Sequence, residues 1–531
     1  MDESEPSIIV LHVSSAHLWL GFCTDADCQV SFPQVIARKF PSDSPVPPPI
    51  AESVSSDLPW YISESLPILD QVGSQMRTDF GVSDPIPAEI NPYDPLSNPL
   101  KVDHLPTFAE CACRWDWESP SGDVVVGHDA LHIPAGSPFS LRWPLNSGSG
   151  RFSLGVFEGY PKSCALNDVF TIWKAALNLL FVKSYSKPAP TEYSNFSVVL
   201  VCPDDFDPSA VSSLCQLLTS SFGFASVMFT GEAITACYSW GVSSAIVVDI
   251  GSFNTKISVV EDGSSLPNTH LCMPFGLESC TSMLAHLFEN WAAVNNYPSL
   301  NLSLDNPQHR QSLLNVLFTK CNALLPEASA SSFSFCVHSL DGSQHTRRRI
   351  VLDTPESAKI LTYPLVSFFV PQSHNLSLAP PSSPMEKGGD PSWQQLAPFH
   401  SPFTTLPLGT AVVESLMRIG RTDLRKRLLG TVLLIGGGSK LPNIAPALSN
   451  QIRTAVFEAN IESFVDRIEV HVENRSNVPN DHVSWRGGAI IGMLCSNNEE
   501  LKEELFVTGN ELRDYGINAI REKCTFVVNL D

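Results

Sequence analysis

The stretch that decides the fold runs from Ala245 to Gly263 and reads AIVVDIGSFNTKISVVEDG. Its first part, Ala245–Val248, is a short apolar run rich in β-branched residues, and Thr255–Val260 alternates polar and apolar residues. Both patterns are typical of β-strands. The sequence DIGS at 249–252 lies between them and is a turn signal. The stretch therefore predicts a strand, a tight turn and a second strand.

The residue types in this predicted turn suit a phosphate group. Gly251 lets the backbone approach a ligand. The backbone amides of this turn and the hydroxyls of Ser252 and Thr255 can donate to phosphate oxygens. Ile250 belongs to the same predicted phosphate-binding turn. Asp249 ends the first strand, where a carboxylate can hold Mg²⁺ or its water shell beside the phosphate. A plain hairpin without a ligand explains the same residues, so the neighbouring sequence must decide.

Two further turns have similar chemistry. Residues 8–22, IIVLHVSSAHLWLGF, predict a strand, a polar turn and a strand. Small and hydroxyl side chains form that turn: Ser14, Ser15 and Ala16. Near the other end of the chain, the apolar run Val432–Ile435 is followed by Gly436, Gly437 and Gly438, where backbone can lie flat against a ligand. A plain tight turn is the alternative for these glycines.

Composition narrows the class of protein. The chain has 531 residues and 43% hydrophobic content, enough for two or more cores. A formal charge of −22 argues against broad, autonomous affinity for nucleic acid and suits basic protein partners. The chain has no run of about 18 apolar residues, so we expect no membrane span. Fourteen cysteines without CxxC spacing and an acidic first segment, MDESEPS, indicate an intracellular protein with reduced thiols.

Strands and helices alternate from Phe196 onward, with short joins between them. This order predicts an α/β fold with a mostly parallel sheet that is covered on both faces. Helices are predicted at Leu271–Trp291, Thr410–Leu429 and Glu511–Cys524. Two proline-rich regions interrupt the order: an irregular excursion at 40–120 and an insertion at 371–405 that is predicted to be disordered.

Together these motifs resemble the actin family. The segment VLLIGGGSKLPNIAPAL is similar to the adenosine-binding loop of actins, and GEAITACYSWG followed by VVDIG is similar to their second phosphate loop and the helix before it. The resemblance implies an actin-like fold of the Hsp70-like ATPase type, with two related lobes of mixed sheets and helices around a nucleotide cleft. The first lobe would comprise residues 1–240 and 490–531, and the second 241–489.

The resemblance also implies which residues meet the nucleotide. ATP would bind through the three turns described above, and Mg²⁺ through Asp249. In actins the first loop has an Asp and a Lys that correspond here to His12 and Trp19, and the second Asp of the second loop is Ser252. Glu232 falls where actins have a Gln that positions water. Since phosphoryl transfer depends on such charges, we expect ATP binding with weak or absent hydrolysis. An empty cleft, or one that serves only as a hinge, is the alternative.

A narrower resemblance concerns the actin-related subunits of INO-eighty-type chromatin remodellers. It is based on LHVSSAHLWLGF, FPQVIARK, VVVGHDALHI, LRWPLNSG, VVDIGSFNTKISVVEDG and YGINAIREKCTFV. It implies a nuclear, non-catalytic scaffold that sits with actin and another actin-related protein on the helical HSA segment of the remodelling ATPase. Contact with nucleosomes or linker DNA would come through the complex, and neither a membrane partner nor a self-filament is expected.

Two other functions remain open at this level. One is an ATPase of the same superfold, and the other is a cytoplasmic actin-related subunit such as the one in dynactin. Two basic runs also allow direct DNA binding. The first is Arg347-Arg348-Arg349, for which a solvated turn is the alternative; the second comprises Arg418, Arg421, Arg425, Lys426 and Arg427. For the second run we favour a structural role, because cations suit a helix C-terminus.

Overall fold

The structure is a computed structural model, and it describes residues 8–39, 103–105, 122–133, 138–146, 152–155, 160–273, 275–294, 307–321, 331–338, 345–352, 361–369, 406–459, 467–472 and 478–523. The predicted insertion at 371–405 lies outside the described residues. So does the predicted excursion at 40–120, except for 103–105.

The first large sheet has six strands, and the predicted hairpin at 8–22 lies in it. In spatial order they are Val507–Thr508, Ser226–Gly231, Ser197–Cys202, Ile8–Val13, His17–Phe22 and Val30–Pro33. Ile8–Val13 pairs antiparallel with His17–Phe22 and parallel with Ser197–Cys202. Both hairpin strands are almost wholly buried, which explains their continuous apolar sequence.

The second large sheet is organised around the hairpin at 245–263. Its main path is Ser264–Ser265, Thr255–Glu261, Ala245–Ile250, Val432–Ile435 and Val470–His471, and Leu271–Met273 also pairs with Thr255–Glu261. Ala245–Ile250 is antiparallel to Thr255–Glu261 and parallel to Val432–Ile435. Each large sheet is therefore a hairpin whose first strand continues into parallel strands, as expected for two related lobes.

Helices cover these sheets. Those whose residues pack mainly with the first sheet or follow one of its strands in the chain are His128–Leu131, Lys162–Tyr185, Pro208–Gln216, the π-helix Leu217–Ser221, Val483–Ser496, Glu499–Leu505, Gly509–Tyr515 and Ile517–Lys523. Those of the second are Leu277–Val294, Pro307–Thr319, Tyr363–Val366, Leu408–Met417, Thr422–Leu429, Ile444–Glu458 and the 3₁₀ turns Pro267–Thr269, Ser367–Phe369 and Gly437–Lys440. The helix Glu232–Trp240 packs its buried side chains against the second sheet, in one cluster with Ala245, Val247 and Leu433. The described residues also form three small sheets: Ser331–His338, His345–Leu352 and Asp103–Leu105; Val124–Val126, Ile36–Lys39 and Phe139–Arg142; and Leu145–Asn146 with Ser153–Leu154.

Three predicted helices were wrong in extent. The segment predicted as Leu271–Trp291 begins as the strand Leu271–Met273, and its helix starts only at Leu277, after Gly276. The segment predicted as Thr410–Leu429 is two helices, because Met417 ends the first and the second begins at Thr422. The last predicted helix is divided at Gly516, whose φ of +59° is unfavourable for other residues.

The helix Val483–Ser496 joins the two halves of the molecule. A Cβ at Gly487 would lie 1.7 Å from the carbonyl oxygen of Thr235, and one at Gly488 would lie 2.8 Å from Val201. The glycine pair therefore lets this helix cross Glu232–Trp240 and reach the first sheet. The predicted lobe boundary at 489/490 lies inside this helix. Both lobe boundaries stay predictions.

Lys162–Tyr185 is the one described helix that is long and apolar enough to cross a membrane. Half of its apolar window is buried, and its side chains Trp173, Leu177 and Leu180 are fully buried in the core of the first sheet. Packing in a core accounts for this composition without a membrane.

Candidate functional site

The second hairpin and the glycine turn that follows Val432–Ile435 lie against each other. Because Ala245–Ile250 and Val432–Ile435 are parallel, both strands end at the same edge of the sheet. A Cβ on Gly436 would lie 2.1 Å from Oδ1 of Asp249, and one on Gly438 would lie 2.1 Å from Cγ2 of Ile250. The structure therefore brings Asp249, Ile250, Gly436 and Gly438 together, and Gly437 sits between the two close contacts.

The turn after Asp249 is fixed by the helix Leu277–Val294. The amide of Gly251 donates to the carbonyl of Asn254 at 2.9 Å, and the carbonyls of Gly251 and Ser252 accept from the amides of Leu277 at 3.1 Å and Glu278 at 2.7 Å. Thr255 is fully buried and donates its hydroxyl to the carbonyl of Phe275 at 2.8 Å. The Thr255 hydroxyl thus holds the hairpin against the segment that leads into the helix Leu277–Val294.

The first hairpin turn is held by hydrogen bonds to His17 and Gln34. The hydroxyl of Ser14 both donates to the carbonyl of His17 and accepts from its amide, each at 3.1 Å. Gln34 donates its amide N–H to the carbonyl of Ala16 at 2.8 Å. Within the described residues, the amides of Ser15 and Ala16 make no backbone hydrogen bond. These two amides remain available to an anionic ligand.

A cluster of buried charged groups links the two hairpins; we call it the ionic cluster, and it comprises His12, Asp205, Glu232, Asp249 and Lys256. Nε2 of His12 donates to Oε1 of Glu232 at 2.8 Å. The ammonium of Lys256 lies 3.3 Å from Oε2 of Glu232, 3.4 Å from Oδ2 of Asp249 and 3.5 Å from Oδ1 of Asp205. One lysine therefore contacts carboxylates from three separate segments, and both carboxylate oxygens of Glu232 are occupied.

Burial and mutual charge set the protonation of these groups. Burial opposes the charge of Glu232, but Lys256 and His12 outweigh it and lower the pKa of Glu232 to about 2. Burial, together with repulsion from Glu232, raises the pKa of Asp249 to about 7. Burial would lower the pKa of Lys256, but the charges of Glu232, Asp205 and Asp249 hold it well above its usual range. At neutral pH, Lys256 and Glu232 are thus charged, and burial beside Glu232 makes Asp249 a weaker acid than an exposed carboxyl.

A second buried carboxylate supports the start of the helix Glu232–Trp240. Oδ2 of Asp204 accepts from the amide of Ala233 at 3.0 Å, and Gly231 is required because a Cβ there would lie 2.2 Å from Oδ1 of Asp204. Burial, together with repulsion from Glu232, raises the pKa of Asp204 to about 8. Asp204 therefore fixes the place from which Glu232 reaches the ionic cluster.

The sequence predicts that Glu232 takes the place of a water-positioning Gln and that His12 and Trp19 replace an Asp and a Lys. The structure brings these three side chains into contact. Lys256, Asp204 and Asp205 were not predicted as site residues from the sequence. The rings of Trp19 and His12 stack with centroids 4.7 Å apart, so Trp19 holds the imidazole that donates to Glu232. A lysine inside the otherwise buried strand Thr255–Glu261 was the available signal for a buried counter-charge.

The two basic runs differ in what the structure shows. Residues 347–349 lie in the central strand of a three-stranded sheet, paired with 103–105 on one side and 334–336 on the other. In the second run, Arg425 donates to the carbonyls of Ile419 at 2.6 Å and Met417 at 2.9 Å, at the end of the helix Leu408–Met417. Arg421 pairs with Glu261 at 2.7 Å. The preferred structural role therefore fits the contacts of these two arginines.

Comparison with known proteins agrees with this architecture. A family model described as Actin matches residues 167–338. Actin-related protein 8 of Aedes aegypti is 23% identical over 583 residues, which cover 98% of this chain and 97% of that protein. Actin-related protein 9 of Oryza sativa subsp. indica is 25% identical over 445 residues, covering 78% of this chain and 69% of that protein.

A solved structure has the same fold along nearly the whole chain. It is described as human actin-related protein Arp8 in its ATP-bound state, and it matches with a TM-score of 0.75 and 20% identity. The match covers 99% of this chain and 98% of that one. The protein therefore has an actin-like α/β fold, and its relatives include proteins named actin-related protein 8.

Proposed function

From an actin-like fold and a similarity to actin-related protein 8 that spans the chain, we propose that this protein is a non-catalytic, ATP-binding scaffold subunit of an ATP-dependent chromatin remodelling complex. It acts in the nucleus, where it assembles with actin and another actin-related protein on the HSA segment of the remodelling ATPase. It contributes there to engagement of nucleosomes and linker DNA. Similarity over 98% of this chain and 97% of the mosquito relative supports a shared role of the whole protein.

The observation that carries the non-catalytic part is the engagement of Glu232. A group that orients an attacking water needs a free acceptor, but Oε1 of Glu232 is 2.8 Å from His12 and Oε2 is 3.3 Å from Lys256. Glu232 is only 4% exposed, so solvent has little access to it. Without a group to orient water, bound ATP is expected to persist.

ATP binding rests on the turns rather than on the ionic cluster. The glycine turn at 436–438 provides a surface without side chains beside Asp249 and Ile250, and the amides of Ser15 and Ala16 remain available for phosphate oxygens. The ATP-bound state of the human structural relative supports the same ligand here.

Affinity purification of the tagged chain from nuclear extract, followed by mass spectrometry, tests the scaffold role. We expect a remodelling ATPase together with actin and a second actin-related protein. Recovery of dynactin subunits instead would support the cytoplasmic alternative, and recovery of neither set would contradict the proposal.

A second measurement separates binding from catalysis. The purified chain is incubated with radiolabelled ATP, and bound nucleotide and released phosphate are measured over several hours. We expect one bound ATP per chain, with no more phosphate released than in a denatured control. Sustained turnover would instead favour the ATPase alternative and would contradict our account of Glu232.

A further inference from the structure

The ionic cluster already contains a cation at the place where a nucleotide site would need one. Asp249 is the carboxylate expected to hold Mg²⁺, yet its Oδ2 lies 3.4 Å from the ammonium of Lys256. Its Oδ1 faces Gly436 so closely that even a Cβ would lie 2.1 Å away. A hydrated divalent ion requires room for its water shell and would be repelled by the ammonium. The residues present therefore do not fit Mg²⁺ at Asp249.

The position of Lys256 is fixed by the fold. Lys256 is directly opposite Asp249 in the antiparallel register of the second hairpin, so backbone pairing holds the two side chains on one face of the sheet. Lys256 is 9% exposed, and carboxylates from a loop (Asp205), a helix start (Glu232) and the partner strand (Asp249) surround it. Moving the ammonium away would leave these carboxylates buried without a counter-ion.

The first hairpin has a nitrogen base at the position that corresponds to Asp249 in the second hairpin. His12 is the next-to-last residue of its strand, as Asp249 is of its own, and it presents an imidazole where Asp249 presents a carboxylate. His12 is 4% exposed, and its Nδ1 has no hydrogen-bond partner among the described residues. A buried nitrogen without a partner beside the turn at Ser14–Ala16 is available to a ligand atom.

We propose that the Lys256 ammonium, supported by His12, replaces the divalent cation of this site, so that the chain binds ATP without a metal ion. This inference rests on the proposed ATP binding and concerns its chemistry. The ligand class is an uncomplexed nucleoside triphosphate. The lysine offsets part of the negative charge of the three carboxylates, which would otherwise repel the phosphates of the nucleotide.

Calorimetric titration of the nucleotide-free, full-length chain with ATP, once in excess EDTA and once in excess Mg²⁺, tests the proposal. We expect the two dissociation constants to agree within about threefold. Because a factor of ten corresponds to about 1.4 kcal/mol of binding free energy, this is a difference of less than about 0.7 kcal/mol. ATP binding that appears only with Mg²⁺, or that tightens by tenfold or more, would overturn the proposal while leaving ATP binding intact. No binding in either buffer would overturn both.

A second measurement does not depend on ATP. In the absence of nucleotide, electron paramagnetic resonance with Mn²⁺ as the probe should show no tightly bound ion in the wild type. Lys256→Gln leaves the carboxylates without their ammonium and should gain one bound Mn²⁺. The exposed lysine Lys39, which pairs with Asp123 at 3.8 Å, provides the control Lys39→Gln, which should gain none. Bound Mn²⁺ in the wild type that Asp249→Asn abolishes would contradict the proposal even if Lys256→Gln does not fold.

Discussion

The two hairpins have the same backbone plan but different chemistry. In each, the next-to-last residue of the first strand lies opposite a residue near the start of the returning strand. His12 lies opposite Trp19 in the first hairpin, and Asp249 lies opposite Lys256 in the second. The first pair is a stack of rings, and the second is an ion pair. Glu232 bridges them, since it contacts His12 with one oxygen and Lys256 with the other. The comparison teaches that a shared topology can keep a ligand-binding shape while its charges become part of the protein's own core.

The largest effect should come from breaking the second pair. Lys256→Met leaves several buried carboxylates without a counter-ion, and we expect the free energy of unfolding to fall by about 3–5 kcal/mol. Urea unfolding followed by circular dichroism measures it. Lys39→Met removes an ion pair whose lysine side chain is 49% exposed, so a loss below about 1 kcal/mol is expected there. Equal losses in both variants would mean that the ionic cluster contributes nothing particular.

The next effect concerns the glycine turn beside the second hairpin. Gly436 has φ +82° and ψ 175°, a region that other residues avoid, and an added methyl group would collide with Asp249. We expect Gly436→Ala to lower the free energy of unfolding by about 2–3 kcal/mol and to weaken ATP binding. Gly420→Ala is the matched control, because no atom lies within 4 Å of the Cβ it adds. If both substitutions were silent, the close approach of Gly436 to Asp249 would be disproved.

A smaller effect follows from the titration of Asp249. Its pKa is about 7 in the folded chain and near 3.8 in the unfolded chain, so the folded state binds the proton more tightly. Protonation of Asp249 therefore stabilises the folded state. That stabilisation is complete below about pH 4 and is lost as the pH rises through about 7. Asp249→Asn should therefore lose less stability than the wild type between pH 5 and pH 8, by at least about 1 kcal/mol. Thermal unfolding of both proteins at about pH 5 and pH 8 measures these losses. Equal losses of stability in the wild type and in Asp249→Asn would show that Asp249 does not titrate in this range.

The sequence predicted the hairpins and the glycine turn well because their signals are local. Apolar strands on both sides of DIGS and of GGGS specify where the chain turns, and the structure has strands ending at Ile250 and Ile435. The alternation in Thr255–Glu261 also indicates that Lys256 and Ser258 share a face. It does not reveal what lies opposite that face, since His12, Asp205 and Glu232 come from other segments. Lys256 was therefore missed, and the hydroxyl of Thr255 was assigned to a ligand although it binds the carbonyl of Phe275.

The smallest effect compares the serines of the two turns. The hydroxyl of Ser14 makes two hydrogen bonds with the backbone of His17, whereas that of Ser252 has no partner within the described part of the chain. Ser14→Ala should therefore cost about 1 kcal/mol of unfolding free energy, and Ser252→Ala should cost almost nothing. If ATP binds at the second turn, Ser252→Ala should instead weaken ATP binding, which calorimetry measures on the same samples. A stability loss that is larger for Ser252→Ala would show that the second turn, like the first, is held by its own side chain rather than kept open for a ligand.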